Sequence, residues 1–169
     1  MVMPQQCLED KFIYDTVPNK LSIRMPKPNG KVYSATIGKK KIGHDAAMEI
    51  AITKVREVGS KMWAEFWSDI LNNPTLLKEL PHSVEPTLTQ EKDRHGKTVI
   101  IYRAIWTVES NGKRKRVCKK TRVNTHGYEE SYRISKQQIL IAYDQWLPLI
   151  RFLKENDNPR FVDSQLELR

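Results

Sequence analysis

Leu21, Ile23 and Met25 are apolar at every second position, the period of a strand with one covered face. The alternation resumes after Pro26–Gly30, a turn-forming stretch of Pro, Asn and Gly. Across Lys31–Ile37, Tyr33, Ala35 and Ile37 oppose Val32, Ser34 and Thr36. Gly38 predicts a tight turn and Lys39–Ile42 a short third strand. The period then lengthens: Met48, Ile52, Val55 and Val58 recur at helical spacing, with Asp45 as the cap. Gly59-Ser60 predicts an interruption, followed by a second helical piece over Lys61–Leu71 that carries Met62, Trp63, Phe66, Trp67 and Ile70. Residues 1–20 read as an irregular arm closed by the breaker Val17-Pro18-Asn19. Residues 72–86, with Pro74, Pro81 and Pro86, read as a linker in which Leu76, Leu77 and Leu80 can form one helical turn against a core.

The same order returns in the second half. Thr87–Lys92 is a strand and Asp93-Arg94-His95-Gly96 a turn. Thr98–Val108 is a long strand rich in β-branched and aromatic residues. Asn111-Gly112 is the strongest hairpin signal in the chain, and Lys113–Val123 is the third strand. A turn over Asn124–Gly127 precedes a helix whose stripe is Tyr128, Tyr132, Ser135, Ile139, Ala142 and Trp146. Pro148 should kink or end it, with Leu149–Lys154 continuing as helix. The sequence therefore predicts an α+β chain of two β-β-β-α modules, each a three-stranded antiparallel sheet packed on a helix, with extra helical segments. The expected boundaries are an arm over 1–20, a first module over 21–71, a linker over 72–86, a second module over 87–155 and a partly ordered tail over 156–169. Aligning Lys31–Gly38 with Gly96–Gly112 sets Tyr33-Ser34-Ala35 against Tyr102-Arg103-Ala104, and Gly38 against Gly112.

The chain has 169 residues, of which 39% are hydrophobic and 29% charged, a globular balance with length for a substantial core. No apolar run is long enough to cross a membrane, so no membrane partner is expected. Met1–Lys20 carries Glu9, Asp10 and Asp15 and has no apolar stretch of the secretory kind. The expected location is the cytoplasm (nucleoid or host cytoplasm), or the nucleus in a eukaryote. Cys7 and Cys118 are far apart, and His44, His82, His95 and His126 are scattered singly. A structural zinc site needs about four ligands, commonly in close pairs, so no metal, no cofactor and no disulfide framework is expected. No Ser/His/Asp or Cys/His arrangement can be built from such dispersed residues, so the chain does not read as an enzyme.

The net charge of +9 changes the picture, because a basic chain is drawn to polyanions. Seven of the ten residues in Lys113–Arg122 are basic. In a strand, Arg114, Arg116, Cys118, Lys120 and Arg122 share one face, while Val117, Thr121 and Val123 share the other. On the preceding strand, Tyr102, Ala104, Trp106 and Val108 suit a helix, leaving Arg103, Ile105 and Thr107 outward. A small sheet covered by a helix on one side leaves its second face to water or a ligand. An arginine-rich face suits duplex DNA: cations neutralise phosphates, and arginine forks match guanine O6 and N7.

The runs Tyr102-Arg103-Ala104-Ile105-Trp106-Thr107, Asn111-Gly112-Lys113-Arg114-Lys115, Thr121-Arg122-Val123-Asn124 and His126-Gly127-Tyr128-Glu129-Glu130-Ser131, with Arg133-Ile134, resemble the AP2 (AP2/ERF-like) DNA-binding domain, in its phage, bacterial and apicomplexan forms. The resemblance covers roughly Thr87–Trp146; Leu21–Gly59 is similar in order but shorter. It implies a three-stranded sheet on one helix that reads the major groove, with Ala104 and Trp106 toward the helix. Arg103, Ile105, Thr107, Lys113, Arg114, Arg116, Lys120 and Arg122 would then contact DNA. Thr121 stands where the family usually has phenylalanine, and Ser131 where it has alanine. In the first module the candidate contacts are Arg24, Lys31, Lys39, Lys40 and Lys41, lysines being better suited to phosphate than to bases. The expected function is sequence-specific binding of double-stranded DNA, as a transcriptional regulator, with the helical pieces Lys61–Leu71 and Leu149–Lys154 as candidates to pack the modules or form a homodimer.

Three alternatives compete. A double-stranded RNA-binding protein places lysines at a helix N-terminus, and neither Asp45 nor His126-Gly127 fits that well. A protein-interaction adaptor or inhibitor would use the same charge against an acidic partner. AP2-like domains also occur fused to homing endonucleases, but His95 and His126 form no clustered metal site of the kind nuclease chemistry needs.

Overall fold

A computed structural model describes residues 7–168 of the chain. The chain is α+β and divides into two compact units, Met1–Glu79 and Leu80–Arg169. Each contains one antiparallel three-stranded sheet whose strands lie in sequence order, followed by helices.

In the first unit a 3-10 turn, Leu8–Phe12, leads into β1 (Ile13–Val17), β2 (Lys20–Pro26) and β3 (Val32–Gly38). Then come α1 (His44–Trp63), a 3-10 turn over Ala64–Phe66, α2 (Trp67–Asn72) and α3 (Leu76–Glu79). The alternation in β2 works as the pattern predicts: Leu21, Ile23 and Met25 are buried to within 1%. Removing each such side chain from water contributes roughly 1.5–3 kcal/mol. Against them α1 buries Ala47, Ala51, Val55, Gly59 and Trp63, a row spaced by four. Trp63 closes the row by donating its indole N–H to the Pro26 carbonyl at 2.9 Å.

Several expectations for this unit need correction. The supposed arm contains β1, which pairs with β2, and Pro18-Asn19 is the turn of that hairpin rather than a breaker. Proline first and Asn19 at φ 66 second is chemistry that turns a chain as readily as it ends an element. Lys39–Ile42 is not a strand: Lys40–Ile42 is a turn leading into α1. The helix has no side-chain cap at Asp45, since its N-cap is Gly43. Gly59-Ser60 does not interrupt α1. The glycine lies under the Trp67 indole, where an added Cβ would stand 2.3 Å from ring carbon Cη2. Of the expected stripe, Met48, Ile52, Val55 and Val58, only Val55 is buried; the buried row runs through Ala47, Ala51 and Val55, whose small side chains bring the helix close to the sheet.

In the second unit β4 (Thr87–Lys92), β5 (Thr98–Ser110) and β6 (Lys113–Arg122) precede α4 (Val123–His126), α5 (Tyr128–Ala142), a 3-10 turn over Asp144–Trp146, and α6 (Leu147–Glu155). Helix α5 packs on the sheet through Ser131, whose hydroxyl donates to the Arg122 carbonyl at 3.1 Å, and Ser135, whose hydroxyl bonds Thr121 Oγ1 at 3.2 Å. Tyr128, expected on the buried stripe, is 53% exposed. Lys136 takes a buried place instead, its ammonium bonded to the Val84 carbonyl at 3.0 Å and to the Glu85 carboxylate. Pro148 neither kinks nor ends a helix; it opens α6, where a missing N–H costs nothing.

The expected linker is divided between the units: α3 closes the first, while Leu80 and Val84 are buried in the second. The tail is more ordered than expected, with Phe161 fully buried and the Arg160 guanidinium donating to the Leu80 and Pro81 carbonyls, both at 2.7 Å. Trp67, Ile70, Leu149, Ile150 and Leu153, on the segments considered for a homodimer contact, are all buried. Among the described residues no helix is long and apolar enough to cross a membrane.

Candidate nucleic-acid interface

Strand β4 pairs with β5 only as far as Thr87↔Arg103. Beyond that point β5 and β6 continue alone, from Ala104↔Lys119 to Ser110↔Lys113, as a two-stranded antiparallel ribbon. Seven residue pairs at about 3.3 Å each give it a reach of roughly 20 Å. Its tip is the two-residue turn Asn111-Gly112, with φ of 52° and 70°, the positive pair that a type I′ turn requires. Halfway along it the Thr107 N–H donates to the Tyr143 hydroxyl at 3.1 Å.

Directly opposed residues share a face, so the register fixes two rows. The outward row sets Arg103 opposite Lys120, Ile105 opposite Cys118, Thr107 opposite Arg116, Glu109 opposite Arg114 and Ile101 opposite Arg122. The helix-side row sets Tyr102 opposite Thr121, Ala104 opposite Lys119, Trp106 opposite Val117, Val108 opposite Lys115 and Ser110 opposite Lys113. Ala104 is fully buried, Lys119 stands over the Trp106 ring at 5.9 Å, and helix cover ends there. Toward the tip both faces are open. The outward cations on β6 are mostly arginine, and the cations of the helix-side row, Lys113, Lys115 and Lys119, are all lysine.

The sites expected from the sequence therefore separate. Arg103, Ile105, Thr107, Arg114, Arg116, Lys120 and Arg122 share the outward row, with Arg103 and Ile105 half-buried and the others exposed. Lys113 is exposed at the tip but on the other row. The outward row is not open throughout, since Val99 and Ile101 belong to it and are 8% and 2% exposed. It is also not purely cationic. Glu91 on β4 accepts from Arg103 Nη2 and from Lys120 Nζ, the latter at 2.7 Å, so three strands are tied across the face. These two bonds, that from Lys120 foremost, hold the Glu91 carboxyl below its ordinary pKa. Five cations thus face two carboxylates, Glu91 and Glu109. Glu91 escaped the sequence reading, although the turn at Asp93–Gly96 fixes the β4 register and puts Thr87, Thr89 and Glu91 on the Arg103 row.

The first module is different. Gly43 and Gly127 share φ near +80°, and each donates its N–H four residues back, to the Lys39 and Val123 carbonyls at 2.8 and 2.7 Å. Matching them sets β3 on β6 and β2 on β5. The places of Arg103, Arg116, Lys120 and Arg122 are then held by Ser22, Val32, Thr36 and Gly38. Arg24 is exposed on that outward row, at the place of Ile105. Lys31 precedes β3, and Lys39, Lys40 and Lys41 follow it in the approach to α1. Lys39 is bound to Asp15, which also lies 3.5 Å from His44 Nδ1. Among the described residues no group of three or more His, Cys, Asp and Glu is arranged to hold a metal ion.

Comparison with protein-family models, with curated proteins and with solved structures gives no match for this chain.

Proposed function

We propose that the chain is a sequence-specific double-stranded DNA-binding protein of AP2-like type that inserts the β5–β6 ribbon into the major groove, and that it acts as a transcriptional regulator rather than an enzyme. One observation carries the reading: a projecting two-stranded ribbon that bears Arg114 and Arg116 on one exposed row and Lys113 and Lys115 on the other. The major groove is about 12 Å wide and admits such a ribbon. Arginine forks on one row suit base edges, and lysine point charges on the other suit the flanking phosphates. The first module, with few cations on its sheet, adds phosphate contacts through Arg24, Lys31, Lys40 and Lys41.

A selection from randomised duplexes tests the proposal. Enrichment of one motif, with affinity that falls steeply as salt rises, is the expected result. Recovery of no motif, a flat salt dependence, or preferential binding of double-stranded RNA over mixed-sequence DNA at physiological salt would overturn it.

A further inference from the structure

Glu91 bridges Arg103 and Lys120, which face each other on β5 and β6, from the third strand of the sheet. In register Glu91 sits opposite Val99, four residues along β5 from Arg103. The Arg103 side chain therefore lies back along the sheet, past Ile101, instead of standing out toward a ligand. Its Nε is buried in this pose and makes no hydrogen bond, and Thr89 Oγ1 on the same row is likewise buried and unbonded. Leaving a buried donor without a partner is unfavourable. Partly exposed ion pairs of this kind contribute little to folding. The pose thus keeps two of the five cations on the row from any incoming anion.

We propose that Glu91 is an internal competitor for the anion bound by this face: its carboxylate occupies Arg103 and Lys120 in the free protein, and a phosphate or sulfate group must displace it to reach them. The inference rests on the polyanion-binding reading of this same face. A phosphate offers both cations the charge-assisted bonds that the carboxylate supplies. It also frees Arg103 to turn outward, where water or the ligand reaches Nε. Displacement then costs the two pairs, and every polyanion meets that cost before it gains the two contacts.

The test uses the full chain as wild type, Glu91→Gln, Arg103→Gln/Lys120→Gln and the triple variant, with far-UV circular dichroism to establish folding. Retention on immobilised heparin and affinity for a mixed-sequence duplex are read across a salt series. Glu91→Gln should elute from heparin at higher salt and bind the duplex roughly fivefold more tightly, the loss of two partly exposed pairs converted to affinity. Adding the same substitution to Arg103→Gln/Lys120→Gln should give a much smaller gain. An equal gain in both backgrounds means only a change of net charge and overturns the proposal. Unchanged or weaker binding by Glu91→Gln also overturns it, the weaker result making Glu91 a residue that orients Arg103. The two readings fail separately. A heparin shift without duplex binding sinks the DNA proposal and leaves the competitor standing, whereas strong duplex binding with no effect of Glu91→Gln does the reverse. If Glu91→Gln does not fold, Glu91→Ala takes its place with the same expected results.

Discussion

Trp67 lies against α1 where Gly59 has no side chain, and a Cβ there would meet ring carbons Cη2, Cζ2 and Cζ3 at 2.3–2.5 Å. Trp67 also stacks on Phe12, with ring centroids 5.9 Å apart, so the indole has little room to retreat. In an ordinary helix interior, Gly→Ala stabilises by about 0.5–1 kcal/mol. Here the sign reverses: Gly59→Ala should destabilise by about 1–3 kcal/mol through overpacking. Urea denaturation of the variant beside wild type measures this, and a gain in midpoint would contradict the packing described.

Lys136 and Glu85 form the most buried ion pair among those described, with side chains 1% and 32% exposed. The two partners pull in opposite directions. For Glu85, burial raises the pKa, but bonds from Lys136, Tyr132 and the Gln165 N–H outweigh it and hold the carboxyl below its ordinary value. For Lys136, burial lowers the pKa more than Glu85 restores it. The carboxylate is the side that acid tests. A carboxyl with a depressed folded-state pKa contributes stability that is fully present above its unfolded-state pKa and is lost as pH falls through the folded-state value. Glu85→Gln should therefore be less stable than wild type at neutral pH, with a difference that shrinks below the ordinary carboxylate range. Thermal melts from neutral to acid pH read this directly; a difference that does not change with pH would remove the pair from the account.

The sequence was legible where one period ran undisturbed. Leu21-Ile23-Met25, the long β5 strand and the Asn111-Gly112 hairpin all sit where alternation and turn chemistry place them. It misled where the same local chemistry serves two ends. The turn at Lys27–Lys31, with Gly30 N–H donating to the Lys27 carbonyl, has the hydrogen bonds of the turn at Asp93–Lys97. The first closes β2–β3 and the second β4–β5, so matching them slips the repeat by one strand and sets Gly38 against Gly112. The slip agrees with, but did not produce, the reading of β1 as an arm and of Lys39–Ile42 as a strand, which came from Pro18-Asn19 and Gly38. The outward row followed from the strand period alone, but Glu91 did not, because its effect depends on a β4 register that a charge count over Lys113–Arg122 never reaches.

On the proposed function, the corrected match makes the first module's contribution to DNA binding electrostatic. Ser22, Val32, Thr36 and Gly38 offer no arginine forks where the second module has cations. Arg24→Ala and Lys41→Ala should weaken selected and mixed duplexes by the same factor, leaving their ratio unchanged. Competition binding with both duplexes checks this. A selective loss for the preferred sequence would make the first sheet a second reading head.

The separation of cation types between the two rows of the ribbon yields the most demanding prediction. Arg116 stands on the outward row opposite Thr107, and Lys115, its neighbour in sequence, stands on the opposite face beside Val108. Both are exposed, so neither substitution opens a cavity. Arg116→Ala should lower affinity for the selected motif by about 1–3 kcal/mol and relax discrimination at one base position, with little effect on mixed-sequence DNA beyond the lost charge. Lys115→Ala should weaken all duplexes alike and reduce the slope of log affinity against log salt by about 1. Two adjacent residues of equal charge would then differ in kind, because a strand turns successive side chains to opposite faces. Titrations of both variants on matched and mismatched duplexes over a salt series decide the matter. If the two variants behave identically, the ribbon does not lie in the groove with one row toward the bases, and the basic run acts only as a diffuse charge.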